Sequence, residues 1–367
     1  MLDNWLHPLE PKSLNIPKLF RNQFGKKITR YEKALPDLSK TRLALLGIGN
    51  EDADAVRKAL YQLSFPFGRL KIADLGNVRK LETDFVIPIL KELLESHIFP
   101  IVIGGNPIFT AAQFQAHRSI LQSVNLVGVD ERIPYHPKID GDVFYLNGIL
   151  DNPKSKLFNL GMIGCQSHFL NAQLLKAFDK RSYECLRLGK VRAGIAETEP
   201  LIRDADLLSF HIAALRQSEA PGQQQPSPSG FFSEEACQIS RYAGMSDKLT
   251  SIGFYGFQKN ADRKEQTSQL VAQLIWYFLD GFHHRKNDYP ATTDGLAEYV
   301  VDFKGHDFQL SFWKSSKSSR WWMQVPVKTK RKHRRHRLIP CSYNDYLEAC
   351  ENDLPERLLK AYKRFEG

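Results

Sequence analysis

The chain has 367 residues, 42% hydrophobic and 25% charged, which suits a soluble globular protein with a sizeable core. No apolar run approaches the ~18 residues of a bilayer span. The opening MLDNWLHPLEPK has no basic stretch ahead of an apolar one, so neither a membrane helix nor a secretory leader is expected.

Residues 1–41 carry proline and lysine with weak periodicity and are expected to wrap the surface. RLALLGIG reads as a buried strand, and DADAVRKALYQL as a helix with Ala53, Val56, Leu60 and Leu63 at helical spacing. LKIADLG is a second strand. TDFVIPILKELLESH is a helix capped by Thr83, with Pro88 early in it. PIVIGG is a third strand, followed by the helix PIFTAAQFQAH with Pro107 in its first turn. VNLVGVD and LFNLGMIG are strands four and five, and SHFLNAQLLKAFDK a helix. APGQQQPSPSG, between the sixth strand DADLLSFHI and the helix SEEACQISRYAGM, reads as a loop; Ser233 is expected to cap that helix and Gly244 to end it. KLTSIGFYGF is a seventh strand. KEQTSQLVAQLIWYFLDGF closes the series, with Leu270, Leu274 and Phe278 on one stripe and His283-His284 at its carboxyl end. Beyond it, EYVVDFKGHDFQLSFW reads as a hairpin turning at residues 304–307, RWWMQVPV as a third strand, and SYNDYLEACENDLPERLLKAYKRF as helix broken near Pro355. The expected organisation is a wrapping segment (1–41), an α/β domain (42–286) and a C-terminal hairpin-and-helix extension (287–367).

Strands apolar on both faces, alternating with helices, predict a mainly parallel sheet covered on two sides, a three-layer α/β/α fold. Functional residues of such sheets lie beyond the carboxyl ends of the strands, which here picks out Asn106, Asp130, His211 and Tyr255. Gly104-Gly105 is no phosphate loop, since no Gly-Lys-Ser/Thr follows it.

Taken in order, the strand ends resemble the ureohydrolase family of arginase, agmatinase and formimidoylglutamase. PIVIGGNPI resembles that family's Gly-Gly-Asp-His-Ser segment, LVGVDERIP its Val-Asp-Ala-His-x-Asp segment, and DADLLSFHIAAL its Ser-Phe-Asp-x-Asp segment. SIGFYGF with the helix after it resembles the last strand and helix. The resemblance runs from about Arg42 to about Gly281 and implies an arginase-like fold. It also implies two manganese ions, held by His and Asp, that activate a hydroxide for attack on a guanidine or imine carbon. Carried over position by position, the ligands fall on Pro107, Asp130, Arg132, Pro134, His211 and Ala213, and a carboxylate near the substrate falls on Phe254. Only Asp130 matches, with His211 a substitute, and Arg132 would set a permanent cation where metal should sit. No manganese and no other cofactor is therefore expected; Asp130 and His211 are the weak metal candidates. Asp130 is expected to pair with Arg132 or another cation, His211 to be hydrogen-bonded, and Asp140 and Asp142 to be loop carboxylates. His117, His136 and His168 could approach His211. The expected remnant is one cleft holding Asn106, Pro107, Asp130, Arg132, Pro134, His211, Ala213 and Phe254.

Residues 313–337 hold ten Lys or Arg and no acid against a net charge of +10, leaving the rest of the chain formally neutral. Lys328, Lys330, Arg331, Lys332, Arg334, Arg335 and Arg337 form either a solvated loop or a site for an acidic partner: protein, RNA or anionic lipid. Trp313, Trp321 and Trp322 beside these cations suit base stacking or, equally, a small hairpin core. The five cysteines, Cys165, Cys185, Cys237, Cys341 and Cys350, are scattered without a C-x-x-C pair, which points to reduced thiols and a cytoplasmic protein. Three readings of function stand: a catalytically silent binding or scaffold protein, a divergent hydrolase of linear amidines, and a nucleic-acid-associated factor. The family's trimers and hexamers leave a homo-oligomer open.

Overall fold

The computed structural model describes residues 2–11, 14, 16, 18–139, 141–290, 292–303, 308–326 and 338–366. Ten strands form one sheet: β1 (Leu6–His7), β2 (Thr29–Arg30), β3 (Leu43–Gly47), β4 (Ile72–Val78), β5 (Phe99–Ile103), β6 (Val124–Val129), β7 (Leu157–Cys165), β8 (Glu184–Arg187), β9 (Leu207–His211) and β10 (Ser251–Tyr255). Their spatial order is β1-β4-β3-β5-β10-β9-β6-β7-β8, with β2 also paired to β4. All pairings are parallel except β1 with β4. Strands β3, β4, β5, β6 and β10 are buried at every position, which requires cover on both faces.

That cover comes from helices α1 (Phe24–Lys27), α2 (Asn50–Leu60), α3 (Thr83–Glu95), α4 (Phe109–Ile120), α5 (Asn147–Leu150), α6 (Ala172–Lys180), α7 (Leu188–Ala193), α8 (Thr198–Arg203), α9 (Ser233–Met245) and α10 (Gln266–His283). Alternate strand residues divide between two layers. Leu45, Ile101, Phe210 and Phe254 pack with Val56 and Leu60 of α2, Ile239 of α9, and Leu270, Leu274 and Phe278 of α10. Ala44, Leu46 and Val102 pack with Val86 and Leu90 of α3 and Phe109 and Ala112 of α4. The expected α/β/α sandwich is present. Helices α9 and α10 meet backbone to backbone. A methyl on Gly244 would lie 2.0 Å from the Phe278 carbonyl oxygen, and one on Gly281 2.2 Å from that of Arg241. Gly244 therefore serves helix packing rather than ending the helix.

Several boundaries move. Thr83 and Ser233 are the first residues of their helices, not caps; Ser233 Oγ donates instead to Glu219. Pro107 precedes α4, which starts at Phe109. The helix predicted over 167–180 breaks into a 3-10 turn at Ser167–Phe169 and α6, which Asn171 caps by accepting from the Leu174 amide at 2.7 Å. Residues 1–41 do more than wrap: β1 and β2 extend the sheet edge, and Leu6 and Phe24 are fully buried. His283 ends α10 and His284 caps it, its Nδ1 bonding the Asp280 carbonyl at 2.7 Å.

His117 lies buried near the carboxyl end of α4, bonded to Gln113 O at 2.8 Å and Thr250 Oγ1 at 2.9 Å, and has no contact with His211. Burial pushes its pKa below the ordinary 6.5, against a smaller opposing pull from the Gln113 carbonyl. The folded chain then binds this proton less readily than the unfolded chain. Its contribution is fully present above pH 6.5 and is lost as pH falls below that value. The slope is at most about 1.4 kcal/mol per pH unit. Urea midpoints of the wild type and His117→Gln should therefore converge as pH falls from 7 toward 5. A constant difference between the two would refute this.

The C-terminal extension is a separate antiparallel sheet in the order β11 (Leu296–Asp302), β12 (Gln309–Ser315), β13 (Trp321–Gln324), β14 (Leu338–Cys341). Helices α11 (Tyr343–Cys350) and α12 (Glu356–Glu366) cover one face, enclosing Leu310, Phe312, Met323, Leu358 and Ala361. The predicted turn at 304–307 and the basic run 328–337 lie outside the described residues. Trp321, 7% exposed, serves the hairpin core and Trp322, 1% exposed, lies under the Arg203 guanidinium, so neither is an open stacking platform. The extension docks through charge. Arg203 of α8 pairs with Glu199 at 3.0 Å, lies 4.5 Å over the Trp322 ring, and donates to the Trp321 and Cys341 carbonyls at 3.1 Å each. Arg357 of α12 reaches Asp345 at 3.1 Å, Glu197 at 3.6 Å and Glu184 at 3.7 Å.

Candidate functional site

The carboxyl ends of β5, β10, β9, β6 and β7 lie side by side and carry Asn106, Gly256, His211, Asp130 and Gln166 in that order. The corner after β5 is locked from both sides: Gly104 N–H donates to Phe254 O at 2.9 Å, and Gly256 N–H donates to Gly105 O at 3.1 Å. Asn106 closes the turn by accepting from Ile108 N–H at 3.0 Å and reaches Asp142 with its amide at 2.6 Å. Asp142, expected to be only a loop carboxylate, thus belongs to this corner. Asp140 lies outside the described residues.

Asp130 is 2% exposed and fully engaged. Its Oδ2 accepts from His211 Nδ1 and from Tyr145 Oη, each at 3.1 Å, and its Oδ1 accepts from the Arg132 backbone amide at 3.3 Å. A carboxylate on Nδ1 places the ring proton there and leaves Nε2 as the second nitrogen. Burial, then the charge of Asp130, pushes the Tyr145 hydroxyl well above its usual value, so it remains a donor. The His211 ring lies against Gly256, where φ is +84° and a Cβ would stand 2.3 Å from its Nε2. Only glycine accommodates both that backbone angle and that ring.

The expected pairing of Asp130 with the Arg132 side chain does not occur. The Arg132 guanidinium turns to Glu131, donating through Nε at 3.1 Å and through Nη2, and lies 4.4 Å over the Phe169 ring. Glu131 is buried, and its Oε2 has no hydrogen-bond partner among the described residues. Burial pushes its carboxyl above the ordinary range, against the opposing pull of Arg132. Arg132 therefore pairs with its neighbour, and Asp130 meets the His211 imidazole instead. Neither Glu131 nor Tyr145 carries a motif signal: Glu131 stands between two of the family's ligand positions, and Tyr145 follows eleven residues after LVGVDERIP.

Phe254 is also misplaced by the sequence reading. It is 1% exposed and packs 5.9 Å from Phe210 in the layer beneath α10, so it does not share the expected cleft with Asp130 and His211. Tyr255 lies under α4, its hydroxyl donating to Gln113 Oε1 at 2.7 Å. His136 and His168 pack against Phe144 and Phe169. Ala213 sits in a 3-10 turn after β9, and the buried Pro134 accepts from Leu146 N–H through its carbonyl. Pro107, Pro134, Ala213 and Arg132 present no side-chain ligand atom for a metal. Among the described residues no three His, Cys, Asp or Glu side chains converge as around an ion, and all five cysteines are unpaired.

Residues 50–280 match the model of the arginase family. The chain belongs to that family. Two formimidoylglutamases are similar to it in sequence. That of Staphylococcus haemolyticus is 25% identical over 72% of this chain and 94% of its own length. That of Bacillus subtilis is 22% identical over 57% and 71%. Among solved structures, the B. subtilis formimidoylglutamase superposes with a TM-score of 0.64 at 17% identity, over 76% of this chain and 97% of its own. A Trypanosoma cruzi formiminoglutamase determined with manganese gives 0.60 at 16%, over 68% and 96%. The arginase-family fold thus occupies the α/β domain, and this family member carries a second antiparallel sheet behind it. No helix among the described residues is long and apolar enough to cross a membrane.

Proposed function

We propose that this arginase-family chain is a catalytically silent, cytoplasmic binding or scaffold protein. In this reading its strand-end cleft is held by its own side chains where the family would hold two manganese ions. One observation carries it: of the six ligand positions only Asp130 and His211 have ligand atoms, and those two bond each other at 3.1 Å. Two ions do not fit that donor set, so no hydrolytic step is derived through them. In this reading hydrogen bonds from His211, Tyr145 and the Arg132 amide occupy the Asp130 carboxylate that a metal would otherwise engage, and the Arg132–Glu131 pair fills the adjoining space. The partner this reading calls for is acidic, since residues 328–337 supply seven Lys or Arg and no acid. Sequence similarity to formimidoylglutamases keeps a divergent amidine hydrolase as the competing reading.

The two separate on one preparation of the full chain. After equilibration with manganese chloride and removal of free metal, elemental analysis should find less than one manganese per chain. N-formimidoyl-glutamate should be hydrolysed no faster than without protein. Two manganese per chain with manganese-dependent turnover would overturn the proposal.

A further inference from the structure

Beneath the sheet, at the end opposite the candidate cleft, lies a cavity of about 290 Å³. It opens where β3, β5, β6 and β10 begin, because Arg42, Phe99, Leu121 and Leu249 stand at or just before their first residues. Phe99, Leu121, Leu249 and Phe282 make its wall apolar; the half-buried Arg285 enters it and the exposed Arg42 stands at its rim. The Arg285 guanidinium is clamped in place. Nε donates to Gly244 O at 2.9 Å and Nη2 to Leu249 O at 3.1 Å, and its carbon lies 4.0 Å from the centre of the Phe282 ring and 5.6 Å from that of Phe99. Its remaining nitrogen, Nη1, and the whole Arg42 guanidinium make no hydrogen bond among the described residues. No described carboxylate comes within ion-pair distance of either. Asp247, also in the lining, spends Oδ2 on the Asp288 amide at 3.1 Å.

Burial, together with the like charges of Arg42 and Arg320, holds the Arg285 pKa down to about 10 against the pull of Asp247. Two cations, one of them at the exposed rim, stand against the one carboxylate of Asp247, whose buried Oδ1 has no hydrogen-bond partner among the described residues. A fixed guanidinium with a free nitrogen and a second guanidinium beside it suit a planar carboxylate, which accepts charge-assisted bonds in that geometry. The volume sits at the small end of the ~300–1,000 Å³ typical of ligand sites, room for about ten heavy atoms.

We propose that this cavity binds a small monocarboxylate with a compact apolar body, aromatic or branched, its carboxylate between Arg42 and Arg285 and its body against Phe99 and Phe282. The site is independent of the strand-end cleft and of the function proposed for it.

The probe pair is phenylacetate and its neutral isostere phenylacetamide, titrated calorimetrically into the full chain. Phenylacetate should bind saturably at one site, and the amide at least about tenfold more weakly, the usual effect of losing a charged hydrogen bond. Arg42→Ser should weaken phenylacetate by about tenfold and Arg42→Lys by less. Both variants should keep the wild-type urea midpoint, because the Arg42 side chain has no bonds to lose among the described residues. Equal affinity for acid and amide, unchanged binding by Arg42→Ser, or no saturable binding up to about 10 mM would each overturn the proposal.

Discussion

Replacing Asp74 with alanine should destabilise the chain by about 3–5 kcal/mol, because it strands a buried charge. Arg57 of α2 and Asp74 of β4 are both 0% exposed. The guanidinium donates through Nε to both Asp74 oxygens at 3.1 and 2.9 Å, through Nη1 to Asp54 at 2.9 Å and Asn77 at 2.6 Å, and through Nη2 to Gly76 O at 2.7 Å. Asp74 also accepts from the Tyr61 hydroxyl at 2.7 Å and the Gly76 amide at 3.0 Å. Burial alone would lower the Arg57 pKa, but the surrounding charges, Asp74 foremost, more than offset it and raise it. Without Asp74 the only carboxylate left on Arg57 among the described residues is the partly exposed Asp54, and Tyr61 loses the Asp74 acceptor. The double variant Arg57→Met/Asp74→Leu removes both charges and should recover most of the loss. Urea unfolding followed by tryptophan fluorescence reads both. A loss under about 1 kcal/mol for Asp74→Ala, the level of an exposed pair, would sink the argument.

Arg203→Ala should have the second-largest effect, about 2–4 kcal/mol, and should act on the extension first. Its loss leaves the Trp321 and Cys341 carbonyls without this donor and removes the cation from the Trp322 face. Among the described residues Glu199 would retain only Arg320, at 3.2 Å. Arg203→Lys should not rescue it: one ammonium cannot supply both carbonyl bonds and the stacked plane. Limited proteolysis should cut the Arg203→Ala chain between α10 and β11 well before the wild type. Identical cleavage rates and urea midpoints would mean that the extension is held elsewhere, by Arg357 and its three acids.

The sheet was legible because its inner strands are apolar at every position, and the closing helix because Leu270, Leu274 and Phe278 repeat at helical spacing. What escaped was short or dependent on distant partners. ECLR of β8 is four residues with two charges, stabilised by strand β7 and by Arg357 and Arg364 of α12. LH and TR of β1 and β2 are two residues each, ordered by the edge of β4. At the site, strand-end logic found Asp130 and His211, which do meet. Their neighbours could not be read. Arg132 turns to Glu131 rather than Asp130 because both follow the end of β6, where side-chain direction depends on the turn rather than on strand alternation. Phe254 went wrong for the opposite reason. It lies within β10, so alternation fixes its face, and that face is the core.

Arg203 binds the extension through main-chain oxygens, which every amino acid possesses. Substitutions at positions 321 and 341 would therefore keep these two bonds as long as the strands hold their course, whereas few changes at position 203 could. At these two contacts the extension is free to drift in sequence on a fixed anchor, whereas Trp322, Arg320, Arg357 and Arg364 carry the record of attachment on its own side.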